Sequence, residues 1–376
     1  MKKAPILLLC EYGVINGGEN SLLAVLPRLQ NKGLQFVAGC VPNSSLEKAF
    51  QRLGIRCHHL RFHNADGVRH SQEQVRNHLK QLILDVKPSV VHSNSLAMAR
   101  LVGPLQSELS IPTVGYIRDI LKLSGKAIRD INGNQKLIAV SQAVQRFHAN
   151  QGVENEKLQV IYNGVDSKLF CPTECLDSDI GHCSQISDKV QTAKRSLLYV
   201  GQLGMRKGYD LLMPVFEKVS QQCKDLEMWI VGQRNSCKQE AIEMEKAVQQ
   251  QVAASPFRNQ ISWLGRREDV PQLMRQASLL IHPARQEPLG RVLLEAAASG
   301  LPVVTTDVGG SREILGPLSE FGLVPKDDVQ AMATKVLSFC NDQASAHDYG
   351  SSLRRRMLEK FSIEKCASQL ADVYTI

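Results

Sequence analysis

Two glutamates, Glu287 and Glu295, are separated by seven residues in the segment with the clearest chemical pattern of the chain. Pro288 and Gly290 lie between them and are followed by an apolar run. Pro288 suits the first turn of a helix because proline has no N–H to leave unpaired there. Gly290 has no Cβ and lets the backbone come close to a ligand. The pattern predicts Glu287 in a loop that enters a helix, Glu295 about two turns along that helix, and a helix end at Gly300.

The start of this predicted helix, near Leu289 and Gly290, lies between the two carboxylates. Its free N–H groups and the positive end of its dipole favour an anion such as phosphate. Two carboxylates that flank an anion site suit a ligand with hydroxyl groups at both ends and phosphate in the middle. A nucleotide-sugar has this arrangement.

The elements that must position these residues follow an alternating pattern, in which short apolar runs are separated by amphipathic helical patterns. The first series predicts strands at 6–10, 35–40, 89–92, 112–116, 136–140 and 159–162, and helices at 19–30, 46–53, 72–86, 96–109 and 142–151. The second predicts strands at 196–200, 226–231, 260–264, 279–282, 302–306 and 322–324, and helices at 209–222, 235–252, 270–276 and 291–299. Such alternation is typical of parallel sheets covered by helices on both faces. The sequence therefore predicts two consecutive doubly wound α/β units.

The polar segment 171–195 has no sustained period and is predicted to connect the two units. Its possible metal ligands are Cys171, Cys175, His182 and Cys183. Their spacing matches no structural zinc signature. Asp177-Ser-Asp179 formally matches an Asp-x-Asp motif but follows no strand, so it is interpreted as loop composition. No metal site is predicted.

Two glycine-containing loops after strands could receive phosphate. Gly17 and Gly18 follow the first predicted strand and precede a helix, which makes an anion cradle. The loop lacks Gly-x-Gly-x-x-Gly, and this argues against a dinucleotide site. In the second half, Arg206 and Lys207 lie in a loop after the strand that ends at Val200, where they could neutralise a departing diphosphate.

The composition describes an ordinary globular protein of 376 residues, 43% hydrophobic and 22% charged. The length suits two domains, and no apolar run approaches the ~20 residues that span a bilayer. Ten scattered cysteines favour a reducing cytosol over a disulfide framework. Residues 1–170 hold 21 Lys and Arg against 12 Asp and Glu, a net charge of +9, whereas the remainder has a net charge of −1. The basic half favours an anionic partner, and the low aromatic content of 5% argues against nucleic acid.

The segment from Glu287 to Glu295, followed by Gly300-Leu-Pro-Val-Val and Gly309-Gly310-Ser-Arg-Glu313, resembles the donor-binding signature of retaining glycosyltransferases of family 4. Further similar segments are Gly17-Gly18-Glu19, Ile138–Ser141, Val160–Asp166, Gly201–Gly208 and the closing helix 361–374. The resemblance covers the chain except for the 171–195 connection. It implies the GT-B fold, with two Rossmann-like doubly wound domains facing across a cleft and a C-terminal helix that crosses back to the N-terminal domain.

This resemblance implies a role for each matching residue. Glu287 would contact the donor sugar, and Glu295 would hold the ribose hydroxyls. Lys207 would grip the pyrophosphate, whereas Gln202 stands where the family usually has a second basic residue and Arg206 is the candidate to compensate. The remaining predicted donor-binding residues are Gly17, Gly18, Leu289, Gly290 and Arg291.

One departure concerns Arg118-Asp119, which follows the predicted strand 112–116 where the family usually has His-Asp. The histidine of the family is thought to contact the donor sugar or assist at the reaction centre. Arginine does not act as a base at neutral pH, but it pairs well with phosphate or an acidic group. We predict three catalytic residues, Glu287, Lys207 and Arg118.

The resemblance implies that the chain transfers a hexosyl unit from a nucleoside-diphosphate sugar to a hydroxyl of a glycan, lipid or small molecule. It implies retention of configuration by a metal-independent front-face mechanism without a further cofactor. Two alternatives stay open: a catalytically degenerate nucleotide-sugar-binding protein, suggested by Gln202 and Arg118, and an NAD-dependent oxidoreductase. We expect a cytoplasmic protein of cell-envelope polysaccharide biosynthesis. Its expected partners are the donor, a glycan or lipid-linked acceptor and an anionic membrane surface.

The predicted domains are an acceptor-side Rossmann-like domain at 1–170 and a connection at 171–195. They are followed by a nucleotide-sugar-binding Rossmann-like domain at 196–360 and a crossover helix at 361–376.

Overall fold

The computed structural model describes residues 4–175, 195–234 and 238–375. These residues form two compact units, and the first contains both ends of the chain. Unit 1 comprises Met1–Gly164 with Ile363–Ile376, and unit 2 comprises Val165–Ser362. The predicted candidates Asp177, Asp179, His182 and Cys183 lie outside the described residues.

Unit 1 is built on a parallel sheet of seven strands in the order β3-β2-β1-β4-β5-β6-β7. The strands are β1 (Ile6–Leu9), β2 (Phe36–Cys40), β3 (Arg56–His59), β4 (Val90–Ser93), β5 (Thr113–Ile117), β6 (Lys136–Ala139) and β7 (Leu158–Val160). The helices are α1 (Gly17–Asn31), α2 (Ser45–Arg52), α3 (Gln72–Val86), α4 (Leu96–Val102), α5 (Gly125–Asn132), α6 (Gln142–Ala149) and, from the C-terminus, α15 (Ile363–Val373). Every residue of β1, β4 and β5 is buried, as expected for strands covered on both faces.

Unit 2 has a parallel sheet of six strands in the order β10-β9-β8-β11-β12-β13. The strands are β8 (Arg195–Val200), β9 (Leu226–Val231), β10 (Ile261–Gly265), β11 (Leu279–His282), β12 (Val303–Thr306) and β13 (Leu323–Val324). The helices are α7 (Leu212–Ser220), α8 (Gln239–Ala254), α9 (Val270–Gln276), α10 (Arg291–Ala298), α11 (Ser311–Leu315), α12 (Ser319–Gly322), α13 (Val329–Asn341) and α14 (Gln343–Lys360). Both units therefore have the doubly wound Rossmann-like topology that the sequence predicts.

One hydrophobic core of unit 1 lies between the sheet and helices α3 and α4. It contains Leu7, Leu9, Leu79, Ile83, Val91 and Met98, each at most 1% exposed. Burying one such side chain contributes roughly 1.5–3 kcal/mol. Helix α15 completes this unit by packing against α1, so the predicted return of the last helix to the first domain is confirmed.

The units divide between Gly164 and Val165 and between Ser362 and Ile363. The first division precedes the predicted boundary at residue 170, and the second follows the predicted boundary at residue 360. The N–H of Val165 donates to the carbonyl of Phe361 at 2.9 Å, which ties both segments into unit 2. Gly164 lies in unit 1, where a Cβ would come within 2.5 Å of the Ile363 Cα.

Some predicted elements were wrong or missing. Strand β3 was not predicted because Arg-Cys-His-His has no apolar run, and it forms by pairing with β2 from Val37↔Arg56 to Cys40↔His59. The helix predicted at 96–109 ends at Val102 and continues as a short 3-10 turn. Gly103 packs against α5 there, where a Cβ would lie 1.9 Å from the Asp130 carbonyl oxygen.

Candidate active site

The predicted donor residues of unit 2 lie on two loops at the carboxyl edge of its sheet. One loop follows β8 and covers residues 201–208, and the other follows β11 and covers residues 283–290. Strands β8 and β11 are neighbours, and the strand order reverses between them. Open α/β sheets bind ligands at such a switch point because the flanking loops leave a crevice.

Glu287 is the centre of this arrangement and is only 5% exposed. Its Oε2 accepts hydrogen bonds from the Lys207 Nζ at 2.5 Å and from the His282 Nε2 at 2.7 Å. Burial alone would raise the pKa of the Glu287 carboxyl. The Lys207 charge and the His282 hydrogen bond outweigh burial and hold the pKa well below its usual range. Glu287 is therefore ionised at neutral pH.

His282, the last residue of β11, is a site residue that the sequence analysis assigned only to a strand. Burial lowers the pKa of its imidazole, although the hydrogen bond with Glu287 opposes this shift. The ring is therefore neutral at pH 7 and donates its Nε2–H to Glu287. The sequence does contain a feature that could have identified His282 as a site residue. It is a polar residue at the end of a buried apolar strand, five residues before Glu287.

Lys207 reaches Glu287 because the loop after β8 packs tightly against Pro283 and Arg285. Gly208 has φ +67°, and a Cβ there would lie 1.8 Å from the Pro283 carbonyl oxygen. The Arg285 guanidinium donates to both oxygens of Asp210 at 2.7 Å and to the Met205 carbonyl at 2.9 Å. Arg285, which was not predicted, thus fixes the turn that carries Lys207.

The helix after Glu287 begins where the predicted helix 291–299 begins, but Pro288 does not lie in its first turn. Gly290 is its N-cap with φ +111°, and α10 begins at Arg291. Pro288 therefore lies in the loop rather than in the first helical turn, because the left-handed backbone at Gly290 separates it from the helix. Glu295 is correspondingly one turn along α10, four residues after Arg291, not two turns.

Glu295 is paired within its own helix, since its Oε1 accepts a hydrogen bond from the Arg291 Nε at 2.5 Å. The backbone N–H groups of Arg291 and Val292 have no hydrogen-bond partner among the described residues. They are the free donors at the start of α10 that the sequence analysis expected to face phosphate.

The second glycine motif supports the Glu287 loop. Gly310 donates its N–H to the Glu287 carbonyl at 3.0 Å. A Cβ on Gly310 would lie 2.6 Å from the Leu289 Cα. This close approach explains why glycine occupies the position and gives the Gly309-Gly310 pair a structural role beside the site.

Gln202 and Arg206 are exposed on the loop after β8. The Gln202 carbonyl accepts a hydrogen bond from the buried Tyr199 hydroxyl at 3.1 Å, which anchors the loop. The Arg206 side chain forms no ion pair within the described part of the chain. The donor-binding roles of both residues stay predictions.

Unit 1 has its own switch point between β1 and β4, where Gly17 and Gly18 begin α1. Arg118 follows β5 at the same edge, and its guanidinium carbon lies 3.8 Å from the centre of the Tyr116 ring. It donates to the Asn94 carbonyl, the Asn94 Oδ1 and the Asn163 Oδ1 at 3.2, 3.0 and 3.1 Å. Asn94 and Tyr116 are further residues of this site that the sequence analysis missed.

Neither a metal site nor a membrane helix is found in the part of the chain that the structure describes. Residues 4–175, 195–234 and 238–375 contain no group of three or more His, Cys, Asp or Glu side chains suited to a metal ion. No helix within these ranges has the length and apolar character needed to cross a bilayer.

Two family models match the two halves of the chain. The model described as Glycosyltransferase Family 4 matches residues 15–169, and the model described as Glycosyl transferases group 1 matches residues 185–356. The chain belongs to the glycosyltransferase family 4-like proteins with the GT-B fold. The predicted family and fold class are thereby confirmed.

Curated relatives include the lipopolysaccharide core biosynthesis mannosyltransferase LpsB of Rhizobium meliloti, 30% identical over 57% of this chain and 60% of that protein. The alpha-maltose-1-phosphate synthase of Mycolicibacterium smegmatis is 28% identical over 63% of this chain and 62% of that protein. The matched segments thus span about three fifths of each relative.

Solved structures support the fold over the whole length. HepE of Anabaena in complex with UDP is 21% identical, has a TM-score of 0.82 and aligns over 99% of both chains. Sucrose-phosphate synthase of Thermosynechococcus elongatus is 18% identical, with a TM-score of 0.76 over 99% of this chain and 98% of that chain.

Proposed function

We propose that the chain is a retaining glycosyltransferase that moves a hexosyl unit from a nucleoside-diphosphate sugar to a hydroxyl of a glycan, lipid or small molecule. The observation that carries this proposal is the buried, ionised Glu287 held by Lys207 and His282 at the switch point of unit 2. The similarity to the mannosyltransferase LpsB, the two matching family models and the complex of HepE with UDP support it.

Donor binding begins with an exchange of ion pairs. The diphosphate is a stronger anionic partner for Lys207 than Glu287 is, and the free N–H groups at the start of α10 add further donors. Once Lys207 turns to the diphosphate, Glu287 is available to a sugar hydroxyl. In the same way, ribose hydroxyls compete for Glu295, which is paired with Arg291 before the donor arrives.

The transfer step needs little covalent chemistry from the protein. In the proposed front-face reaction, the bond from the anomeric carbon to the diphosphate oxygen breaks as the acceptor oxygen forms its bond on the same face. The acceptor proton passes to the departing phosphate oxygen. Lys207 stabilises the charge that develops on the diphosphate, while Glu287 orients the hexose.

The positive charges of the chain take the place of a metal ion in this proposal, and unit 1 holds the acceptor. The reaction would occur in the cytoplasm, in cell-envelope polysaccharide biosynthesis. The net charge of +9 on residues 1–170 supports an anionic acceptor or a peripheral contact with an anionic membrane.

The first test is a thermal-shift screen against UDP, GDP, ADP and their hexose conjugates, with and without EDTA. A selective stabilisation by one nucleotide family that EDTA leaves unchanged supports the proposed donor class and the metal independence. Stabilisation by NAD(P) alone would support the oxidoreductase instead.

The second test is Lys207→Ala, which removes the charge that faces the departing diphosphate. We expect turnover to fall by roughly 30- to 1000-fold, since one such contact contributes about 2–4 kcal/mol in the transition state. Turnover of the donor and circular dichroism are measured together. Near-normal turnover in a folded variant would refute the assignment of the site.

A further inference from the structure

Arg118 is held only by uncharged hydrogen-bond acceptors, unlike several arginines of the chain that pair with carboxylates. Arg195, Arg285 and Arg291 each donate to at least one carboxylate. The guanidinium of Arg118 donates to two oxygens of Asn94 and one of Asn163, and all three acceptors are uncharged. Its position is therefore fixed without neutralising its charge.

The charge of Arg118 stays uncompensated at short range. No carboxylate lies within 4 Å of its nitrogens in the described part of the chain. A guanidinium has five N–H donors, and the three hydrogen bonds leave two for a ligand. Partial burial of a cation without a counter-ion costs free energy, and a bound anion would recover it.

The carboxylates of the neighbouring elements are held by other groups or lie in solvent. The Glu19 Oε2 accepts the Asn16 N–H at 3.1 Å. Glu11 makes side-chain hydrogen bonds with Tyr12 and Ser95, and Asp119 is exposed. These groups moderate the positive potential without forming an ion pair with Arg118.

The side chain of Arg118 packs closely on Gly18 at the start of α1, whereas the space beside Gly17 is open. A Cβ at Gly18 would lie 3.2 Å from the Arg118 Cδ, and a Cβ at Gly17 would meet nothing within 4 Å. The N–H groups of both glycines have no hydrogen-bond partner within the described ranges. The start of α1 therefore offers two backbone donors next to the Arg118 side chain.

We propose that Arg118, with the N–H groups of Gly17 and Gly18, binds an anionic substituent on the sugar or acceptor, either a hexuronate carboxylate or a sugar phosphate. This inference rests on the proposed transferase function and narrows its substrate class. A histidine, usual here in the family that the chain resembles, is largely neutral at pH 7, whereas arginine is always charged. Arg118 is thus a specificity-determining residue that favours an acidic substrate over a neutral one.

The test compares acidic with neutral probes on the full chain. Binding of glucuronate and glucose 6-phosphate is measured against glucose by calorimetry in the presence of UDP. Hydrolysis of UDP-glucuronic acid is measured against UDP-glucose. The calorimetry arm tests for an acidic acceptor, and the hydrolysis arm tests for an acidic donor sugar. We expect at least a tenfold preference for the acidic probe in one arm.

Three variants locate this preference. Arg118→Met should reduce the preference for the acidic probe by about tenfold or more. Arg118→Lys should keep part of the preference, because lysine retains the charge but lacks the planar, forked set of N–H donors. Arg52→Met removes an exposed charge at the end of α2 and should leave the preference for the acidic probe unchanged. Circular dichroism confirms that each variant folds.

The outcomes separate this inference from the proposed function. If the wild-type chain binds UDP but shows no acidic preference in either arm, the inference is wrong and the transferase proposal stands. If Arg118→Met loses UDP affinity and keeps the preference, Arg118 serves the donor diphosphate and the inference is again wrong. If UDP does not bind but the preference depends on Arg118, the anion site stands and the proposed function fails.

Discussion

Glu287 uses only one of its two carboxylate oxygens in the described structure. Oε2 accepts both the Lys207 and the His282 hydrogen bonds, while Oε1 has no partner within residues 4–175, 195–234 and 238–375. The side chain is therefore already oriented before a ligand binds. One oxygen remains for a sugar hydroxyl, which suits a residue that positions the sugar.

We predict opposite effects on binding and on turnover for Glu287→Gln. Removing the carboxylate charge releases Lys207 for the diphosphate, so UDP affinity should rise several-fold, while turnover should fall roughly 100-fold because the sugar is no longer held. Calorimetry with UDP and a turnover assay check the two effects. Glu320→Gln, at an exposed position of unit 2, is the matched control. A marked loss of UDP affinity in Glu287→Gln would contradict the ion-pair exchange.

At the scale of elements, the junction between the Glu287 loop and α10 depends on one glycine. Gly290 has φ +111°, and a Cβ there would lie 2.8 Å from the Leu293 Cδ1 and 3.3 Å from the Glu287 Cγ. An L-residue is strained in this conformation, and the added methyl group would press on Glu287 itself.

We therefore predict that Gly290→Ala destabilises the protein by about 1–3 kcal/mol and also weakens donor binding. Urea unfolding and UDP titration measure the two effects. Gly125→Ala is a suitable control, since Gly125 begins α5 and the nearest atom to its Cβ would be 3.6 Å away. If Gly290→Ala were as stable as this control, the strain argument would fail.

The last helix is attached to unit 1 by a buried hydrogen bond between its end and strand β4. The Tyr374 hydroxyl lies 2.9 Å from the His92 Nδ1. The His92 ring is 5.5 Å from the Tyr116 ring, on which Arg118 stacks. The C-terminal helix thus supports, through two rings, the residue that we assign to anion binding.

We expect Tyr374→Phe to cost about 1 kcal/mol or more in the free energy of unfolding, because His92 loses its partner in a buried environment. Tyr209→Phe is the matched control: the Tyr209 hydroxyl is buried and has no hydrogen-bond partner among the described residues. Its removal should be neutral or stabilising. Equal effects of the two variants in urea unfolding would show that the His92 bond contributes nothing.

At the scale of the whole molecule, three buried histidines link stability to pH. Burial lowers the pKa of His92 to about 3 and lowers the pKa of His148 and His282. In the unfolded chain the pKa of each returns to about 6.5, so the unfolded state binds more protons below that pH. The contribution of these neutral histidines to the free energy of unfolding is therefore complete above pH ~6.5 and declines as the pH falls.

We predict that the free energy of unfolding falls between pH 7 and pH 5, with a slope that approaches about 1.4 kcal/mol per pH unit for each histidine that stays neutral in the folded state. Urea unfolding at several pH values measures the slope. His78→Gln, at an exposed position of α3, should leave it unchanged. A flat profile across this range would contradict the neutral burial of these rings.

Local patterns were sufficient to predict most of the fold. Strands such as β9 (Leu226–Val231) and β11 (Leu279–His282) were predicted with the observed bounds, because a short apolar run that is buried on both faces is visible in the sequence. Strand β3 was not predicted, because its four residues have no apolar run of their own and form a strand only by pairing with β2. The start of α10 at Arg291 agrees with the predicted helix 291–299, but Pro288 was wrongly placed in its first turn, because the left-handed backbone at Gly290 separates the proline from the helix.

The sequence by itself determined the two doubly wound units, the glycine loops and the candidate carboxylates, because each of these is encoded by neighbouring residues. Only the tertiary structure decided that Lys207 and Glu287, 80 residues apart, form an ion pair and that His282 joins them. It also decided that Arg118 is held by Asn94 and Asn163 and has no ion-pair partner in the described structure. These contacts arise where distant strands end side by side in a parallel sheet, and local periodicity carries no information about which side chains meet there.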